Sequence, residues 1–385
     1  MRIRNTETCG FESLEDRICL TVSAGLENGW LEVTGIADGQ VQITGTDSGL
    51  DVLDDGQLIG SFTDVDRIRV LLDVESGAAN DDVVRVNFND QTVDRLFAFL
   101  GDGNNIFDVS GNLPVGSVGM VGGQDIDVLN VNVVTENSIA ARLQAGNDTV
   151  NVNADTAWLF VSGGDGSDSV NLAENATAGG VSARLGQGDN IANIQGDVTH
   201  RLGIMGEDGN DTFTVAETAD IGGRVTFKVG NGDNVVNMLG ESGNRLTVRA
   251  GNGVQDINID SAIAGNISVV IGDSGDTAGN DVSISGNIGG DVFVGTGNGN
   301  DIVSLDATIA QDVSVEFGSG GNSFSHTGRI SGDLEVVSRN PDDVFVAEGS
   351  VGGDSIFDPG GQNNFTDAQW RWGWVLGSGW GWTLS

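Results

Sequence analysis

Ala145-Gly146-Asn147-Asp148-Thr149-Val150-Asn151-Val152, then Asp165-Gly166-Ser167-Asp168-Ser169-Val170-Asn171-Leu172, then Gln187-Gly188-Asp189-Asn190-Ile191-Ala192-Asn193-Ile194: one pattern returns about every 21 residues. Each copy has a glycine, then an Asp or Asn, then apolar residues two and four positions on. Read outward from these copies, the polar column runs Asp82, Asn105, Asp127, Asp148, Asp168, Asn190, Asp211, Asn234, Gln255, Asn280, Asp301, Asn322, Asp342 and Asn363. The residues two positions later are all apolar, from Val84 and Phe107 through Phe213 and Phe324 to Val344 and Phe365. Those four positions later stay apolar until His326 and Asp367, which places the end of the regular stack near there.

Alternation with period two marks a strand with one buried face. A second alternating run precedes most turns, as in Val181, Ala183 and Leu185, or Val225, Phe227 and Val229. The stretch between the two runs, such as Ala307 to Gln311, has room for a third bend and a brief strand. A chain that returns to the same faces at this interval is an all-β parallel solenoid, each coil pairing with the next at about 4.8 Å. Parallel crossovers are right-handed in nearly all cases, so the expectation is a right-handed parallel β-helix. About 14 coils of about 21 residues make a rod about 65 Å long. Gly and Asn recur too often for a long helix.

The expected organisation is an N-terminal segment over 1–23, a β-rich N-terminal cap over 24–76, the solenoid over 77–365 and a Trp-rich C-terminal segment over 366–385. An open solenoid end exposes unpaired backbone, so caps are expected at both ends. In the N-terminal cap, Trp30, Val33, Val41, Ile43, Val52, Ile68, Val70 and Leu72 are the expected inward positions. Trp370, Trp372 and Trp374 alternate, so on a strand they share a face. Two readings stand for them: a plug on the last coil, or an aromatic platform for a cell-surface glycan or for self-association.

The chain has 61 Gly, 3 Pro and a formal net charge of -39, from 56 acidic against 17 basic residues. A nucleic-acid partner is not expected, because phosphate contacts need clustered Lys and Arg and Lys228 is the sole lysine. No segment is long and apolar enough to cross a membrane as a helix. Cys9 and Cys19 both lie in the first segment, where they either pair in an oxidising compartment or leave with the segment on processing.

Phe11-Glu12-Ser13-Leu14-Glu15-Asp16-Arg17-Ile18-Cys19-Leu20 resembles the LEPR-XLL type N-terminal motif of large secreted or surface proteins of planctomycete-like bacteria. The resemblance implies export and an extracellular or cell-surface location. Asp16 stands where that motif usually has Pro, and Cys19 where it has a Leu.

Gly163-Gly164-Asp165-Gly166-Ser167-Asp168-Ser169-Val170-Asn171 fits the whole G-G-x-G-x-D-x-U-x nonapeptide and resembles the calcium-binding repeat of RTX, or hemolysin-type, proteins. Gly206 to Thr214 and Thr296 to Ser304 fit with one Gly replaced. One such turn occurs per coil here, where the resembling family has two. Ca²⁺ takes six to eight oxygens, and stacked turns offer carbonyls with Asp or Asn side chains. The candidate metal residues are Asp148, Asp165, Asp168, Asp189, Asp208, Asp211, Asp233 and Asp301. Stacked at about 4.8 Å, such charges repel by about 1 kcal/mol in water and about 3–4 kcal/mol at an effective dielectric of 20, which favours counterions. The same residue types also suit metal-free turns, since Gly supplies positive φ and Asn and Asp bond their own turns.

A non-enzymatic structural or adhesive β-solenoid with calcium-binding turns is the expected function. The alternative is a polysaccharide-active β-helix enzyme, a lyase or hydrolase on acidic glycans. That chemistry needs paired acids or a Lys or Arg base in a cleft. Coil lengths vary by only a few residues, Tyr is absent, and His326 falls in an inward column, so no catalytic residue is assigned.

Overall fold

The computed structural model describes residues 22–37, 39–72, 80–274 and 278–358, and the backbone of strands Trp370–Val375 and Gly379–Leu384. The fold is a parallel β-solenoid of about 13 turns with a spacing near 21 residues, and the described residues contain no helix. The rung expected at Asn363, and the positions Phe365 and Asp367, lie outside the described residues, as do the motif at 11–20, Cys9 and Cys19.

Two long parallel sheets enclose the core. One follows the Gly-rich turns, running Val83–Asn87, Asn105–Ser110, Asp127–Asn132, Thr149–Val152, Ser169–Leu172 and onward in register to Ser323–His326 and Val344–Ala347. The other precedes them, through Val115–Val121, Thr135–Ala145, Thr156–Asp165, Thr177–Gln187, Asp197–Gly206, Val225–Gly230 and Leu246–Ala250. A short third ladder links Val198, Ile221, Ser242, Ile263, Ile288, Ile309, Ile330 and Val351. This is the third bend that the sequence left room for.

Both apolar columns lie inside. Phe107, Val150, Val170, Phe213 and Phe324 are buried, as are Val109, Val152, Leu172, Val215 and Leu305. Within this interior Phe213 and Phe227 from opposite sheets meet with ring centroids 6.1 Å apart. Coils can stack this closely only where the turns lack side chains. Gly166 has φ +130, and a Cβ there would sit 1.8 Å from the carbonyl oxygen of Gly146 one coil away.

The register slips at the last rung. Phe324 pairs with Phe345, so Phe345 is buried and Val344 faces out, and Asp343 rather than Asp342 takes the polar rung. The turn here is Asn340-Pro341-Asp342, without glycine. Asn340 Nδ2 donates to the Gly320 carbonyl and Ser338 Oγ donates to Asp343 Oδ2, which draws the chain in one residue later. His326 is fully buried as expected, its Nδ1 3.4 Å from the Leu305 carbonyl oxygen, and burial holds its pKa below the usual histidine range.

Strands of the expected N-terminal cap enter the stack. Trp30–Gly35 pairs in parallel with Arg67–Leu72, and Gln40–Thr46 with Val83–Asn87. The capping itself falls to antiparallel neighbours: Ser23–Glu27 on Trp30–Gly35, and Gly49–Asp54 with Gln57–Phe62 on Gln40–Thr46. Val33, Val41, Ile43, Val52, Ile68, Val70 and Leu72 are buried as expected. Trp30 is not: Leu31 takes the inward place, and Trp30 lies under the guanidinium groups of Arg67 and Arg69, at 4.9 and 5.8 Å from its ring centroid. Trp370–Val375 and Gly379–Leu384 form an antiparallel pair with Trp372 opposite Trp382 and Trp374 opposite Trp380. The side chains of these tryptophans lie outside the described residues.

Candidate functional site

The polar column turns inward. Asp127, Asp148, Asp168, Asn190, Asp211, Asn234, Asn280, Asp301 and Asn322 are each at most 3% exposed. In each of these rungs after Asp127 the side-chain Oδ1 accepts the backbone N–H of the rung before it. Asp127 N donates to Asp148 Oδ1 at 2.8 Å, Asp148 N to Asp168 Oδ1 at 3.0 Å, and Asp168 N to Asn190 Oδ1 at 3.0 Å. The chain of bonds continues through Asp211 at 3.1 Å, Asn234 at 2.8 Å and, further on, Asp301 at 2.9 Å and Asn322 at 3.0 Å. A corner where the backbone leaves the sheet thus has its N–H groups satisfied from inside the rod, as buried amides require.

Asn and Asp rungs differ in their second side-chain atom. Asn190 Nδ2 donates to the carbonyls of Gly186 and Gly188 in its own turn, at 3.0 and 2.9 Å, and to Asp211 Oδ1 at 2.9 Å. Asn105 does the same with Gly101, Gly103 and Asp127 Oδ1. An aspartate places an acceptor where the asparagine has a donor. Oδ2 of Asp148, Asp168, Asp211 and Asp301 is buried and has no hydrogen-bond partner. The turn glycines pass close to it: a Cβ on Gly163 would lie 1.8 Å from Asp168 Oδ2 and one on Gly206 1.9 Å from Asp211 Oδ2.

Burial raises Asp127, Asp148, Asp168 and Asp211. It pushes the carboxyl groups of Asp127, Asp168 and Asp211 up to about 6, against hydrogen bonds that pull them down. It pushes Asp148 up to about 8, with the charges of Asp168 and Asp127 on either side adding to the rise. These rungs are not the water-exposed stack of repelling carboxylates that the sequence suggested. The parity of the pattern carries the same placement: Asp148, Val150 and Val152 alternate, so they share a face.

The remaining candidates form a separate, exposed row. Asp189 Oδ1 accepts the Asn210 N–H at 2.7 Å and Asp233 Oδ1 the Val254 N–H at 2.9 Å, so their bonds run in the opposite sense along the rod to those of the inner rungs. Asp208 Oδ1 accepts from Asn231 Nδ2 at 2.8 Å, and Asp165 is exposed. The eight candidates thus split into Asp148, Asp168, Asp211 and Asp301 inside and Asp165, Asp189, Asp208 and Asp233 outside. Asp127, a rung of the inner row, belongs with the first group and was not among the candidates.

All these donors are oxygens, which suits a hard cation in kind. Among the described residues no three acidic, His or Cys side chains converge on one point. A cation at a rung would draw mainly on turn carbonyls and one carboxylate. Comparison with known protein families, with curated proteins and with solved structures finds no match to this chain.

Proposed function

We propose that this chain is a non-enzymatic structural or adhesive rod on the outside of the cell, and that calcium occupies its aspartate rungs. The observation that carries the calcium reading is the set of buried carboxyl oxygens without a partner at Asp148, Asp168, Asp211 and Asp301. A buried acceptor facing no donor costs about 1–3 kcal/mol, and more when ionised. Either a proton or a cation removes that cost. At neutral pH and extracellular calcium levels the cation has the advantage wherever the carboxyl has already ionised. The exposed row of Asp165, Asp189, Asp208 and Asp233 supports the same reading by drawing cations toward the edge.

The uniform stack supports a structural role, with coils of nearly constant length giving an extended surface. The resemblance of residues 11–20 to an export motif supports a surface location. The test is thermal melting of the chelated chain at pH 8 during titration with Ca²⁺, beside Mg²⁺. A rise in melting temperature specific to Ca²⁺ is expected, and it should shrink when Asp148 and Asp168 are both changed to Asn. An unchanged melt removes the metal from the account. Release of reducing ends or unsaturated uronate from an acidic glycan would replace the structural reading with the enzymatic one.

A further inference from the structure

Over the coils from Ser138 to Arg249 the outer face of the sheet that precedes the turns has a charge opposite to that of the molecule. Its inward residues are Ile139, Ala141, Leu159, Val161, Val181, Ala183, Leu202, Ile204, Val225, Phe227, Leu246 and Val248. The residues between them therefore line three outward columns whose register is fixed by the strand pairing. The first holds Ser138, Trp158, Gly180 and Arg201, and the second Ala140, Phe160, Ser182, Gly203, Thr226 and Thr247. The third holds Arg142, Ser162, Arg184, Met205, Lys228 and Arg249. Arg224 and Arg245 immediately precede the strands Val225–Gly230 and Leu246–Ala250. No Asp or Glu occupies any of these positions, in a chain with 56 acids and 17 bases; the second and third columns reach acids only further on, at Glu335 and Glu316.

Arg142, Arg184, Arg201, Arg224, Lys228, Arg245 and Arg249 are all exposed, and the ion pairs among the described residues, Arg69–Glu32 and Arg85–Asp108, involve none of them. The sheet on the other side carries Arg85 as its one base from Val83–Asn87 to Ser323–His326. The cations are therefore segregated and left unpaired, where a merely soluble acidic surface would have them neutralised by neighbouring carboxylates.

Aromatic rings sit in the same field. Trp158 and Phe160 lie 5.9 Å apart with planes 10° from parallel, and His200 lies 6.2 Å from Trp158 at 28°. The indole lies across Gly180, where a Cβ would be 2.2 Å from its ring. Arg201 holds its guanidinium carbon 5.2 Å from the Trp158 ring centroid. Phe160 is 42% exposed.

We infer that this face binds a linear acidic polysaccharide, with the columns of Arg and Lys on its carboxylate or sulfate groups and the Trp158–Phe160 platform against the apolar face of a sugar ring. The columns are about 13 Å apart at their widest, at about 3.3 Å per strand residue. Just beyond them stand the acidic turns with Asp165, Asp189, Asp208 and Asp233. With a Debye length of about 8 Å, a single glycan chain laid along the columns stays within the basic field. A nucleic-acid duplex, with a charge about every 1.7 Å and a much wider body, would bring phosphates over the acidic edge.

The test uses the full chain and isothermal titration with oligogalacturonides and with a sulfated oligosaccharide, in chelator so that no cation bridges the glycan to the turns. Maltooligosaccharides and a short DNA duplex are run alongside. Binding to at least one acidic oligosaccharide is expected, and none to the uncharged one. The combined variant Arg184→Ser, Arg201→Ser and Lys228→Ser should weaken binding at least tenfold and flatten its salt dependence. Trp158→Ala should weaken it several-fold with the salt dependence kept. Both variants should melt as wild type does. The proposal is overturned if neither acidic glycan binds, if the triple variant binds as wild type does, or if the duplex binds as tightly. It is also overturned if the chain sediments as an oligomer that the triple variant dissociates, which would assign the face to a second copy.

Discussion

Two stretches of the same inner ladder solve one problem differently. From Asn190 to Asn234, asparagine alternates with Asp211, and each amide donates into its own turn or to the neighbouring rung. From Asp127 to Asp168 three aspartates follow one another with no amide between them. Asp211, flanked by amides, is pushed by burial to about 6, while Asp148, flanked by acids, is pushed to about 8. Both rungs accept a backbone N–H at Oδ1, so the difference lies in the neighbours: a donating amide beside Asp211, and charged acids on both sides of Asp148.

Converting an amide rung into an acid breaks the comparison most severely. Asn190→Asp removes the donors to Gly186, Gly188 and Asp211 and creates an unbroken acidic run from Asp127 to Asp211. A loss of about 3 kcal/mol or more is expected at pH 8, read by chemical denaturation in chelator, with much of it restored at pH 4.5. The reverse change, Asp148→Asn, should stabilise the chain by about 1–3 kcal/mol at pH 8 and by little at pH 4.5. Asp211→Asn should stabilise less, because its amide neighbours already hold its carboxyl lower.

The pH profile of the wild-type chain sharpens the same contrast. Free aspartate titrates near pH 3.9 when unfolded, and these groups titrate higher when folded, so the folded state holds more protons above about pH 4. Stability therefore falls as pH rises, through about 6 for Asp127, Asp168 and Asp211 and on to about 8 for Asp148. Between pH 6 and 8 the fall belongs mainly to Asp148, so melting curves of Asp148→Asn should be flatter than wild type in that window. The smallest effect is expected on the outer row. Asp189→Ala gives up one exposed hydrogen bond to Asn210 N and should cost less than about 1 kcal/mol, read by chemical denaturation.

Much of this architecture is legible in the chain. Phe107, Val150, Phe213 and Phe324 keep parity with the rungs through every coil, and that periodicity fixes the strands, the interior and the stacking. The same parity places Asp148 and Asp168 inside. What obscured this is the ordinary habit of carboxylates to face water, which here yields to the need of buried corner N–H groups for an acceptor. The slip from Asp342 to Asp343 depends on how a glycine-free turn around Pro341 packs, and no local pattern encodes that. Nor does the basic face show itself locally. Arg142, Arg184 and Lys228 are separated by coils that present Ser162 and Met205, and with Arg249 they align only once the length of every coil is known.

The state of the Asp148 carboxyl tests the account most directly. Carbon-13 NMR of the aspartate carboxyl groups in the chelated, folded chain, with the Asp148 signal identified by its loss in Asp148→Asn, should show a titration midpoint near pH 8. Added Ca²⁺ should lower that midpoint. A midpoint near pH 4 would mean that this oxygen meets a donor or water, and the contrast between acid and amide rungs would fall with it.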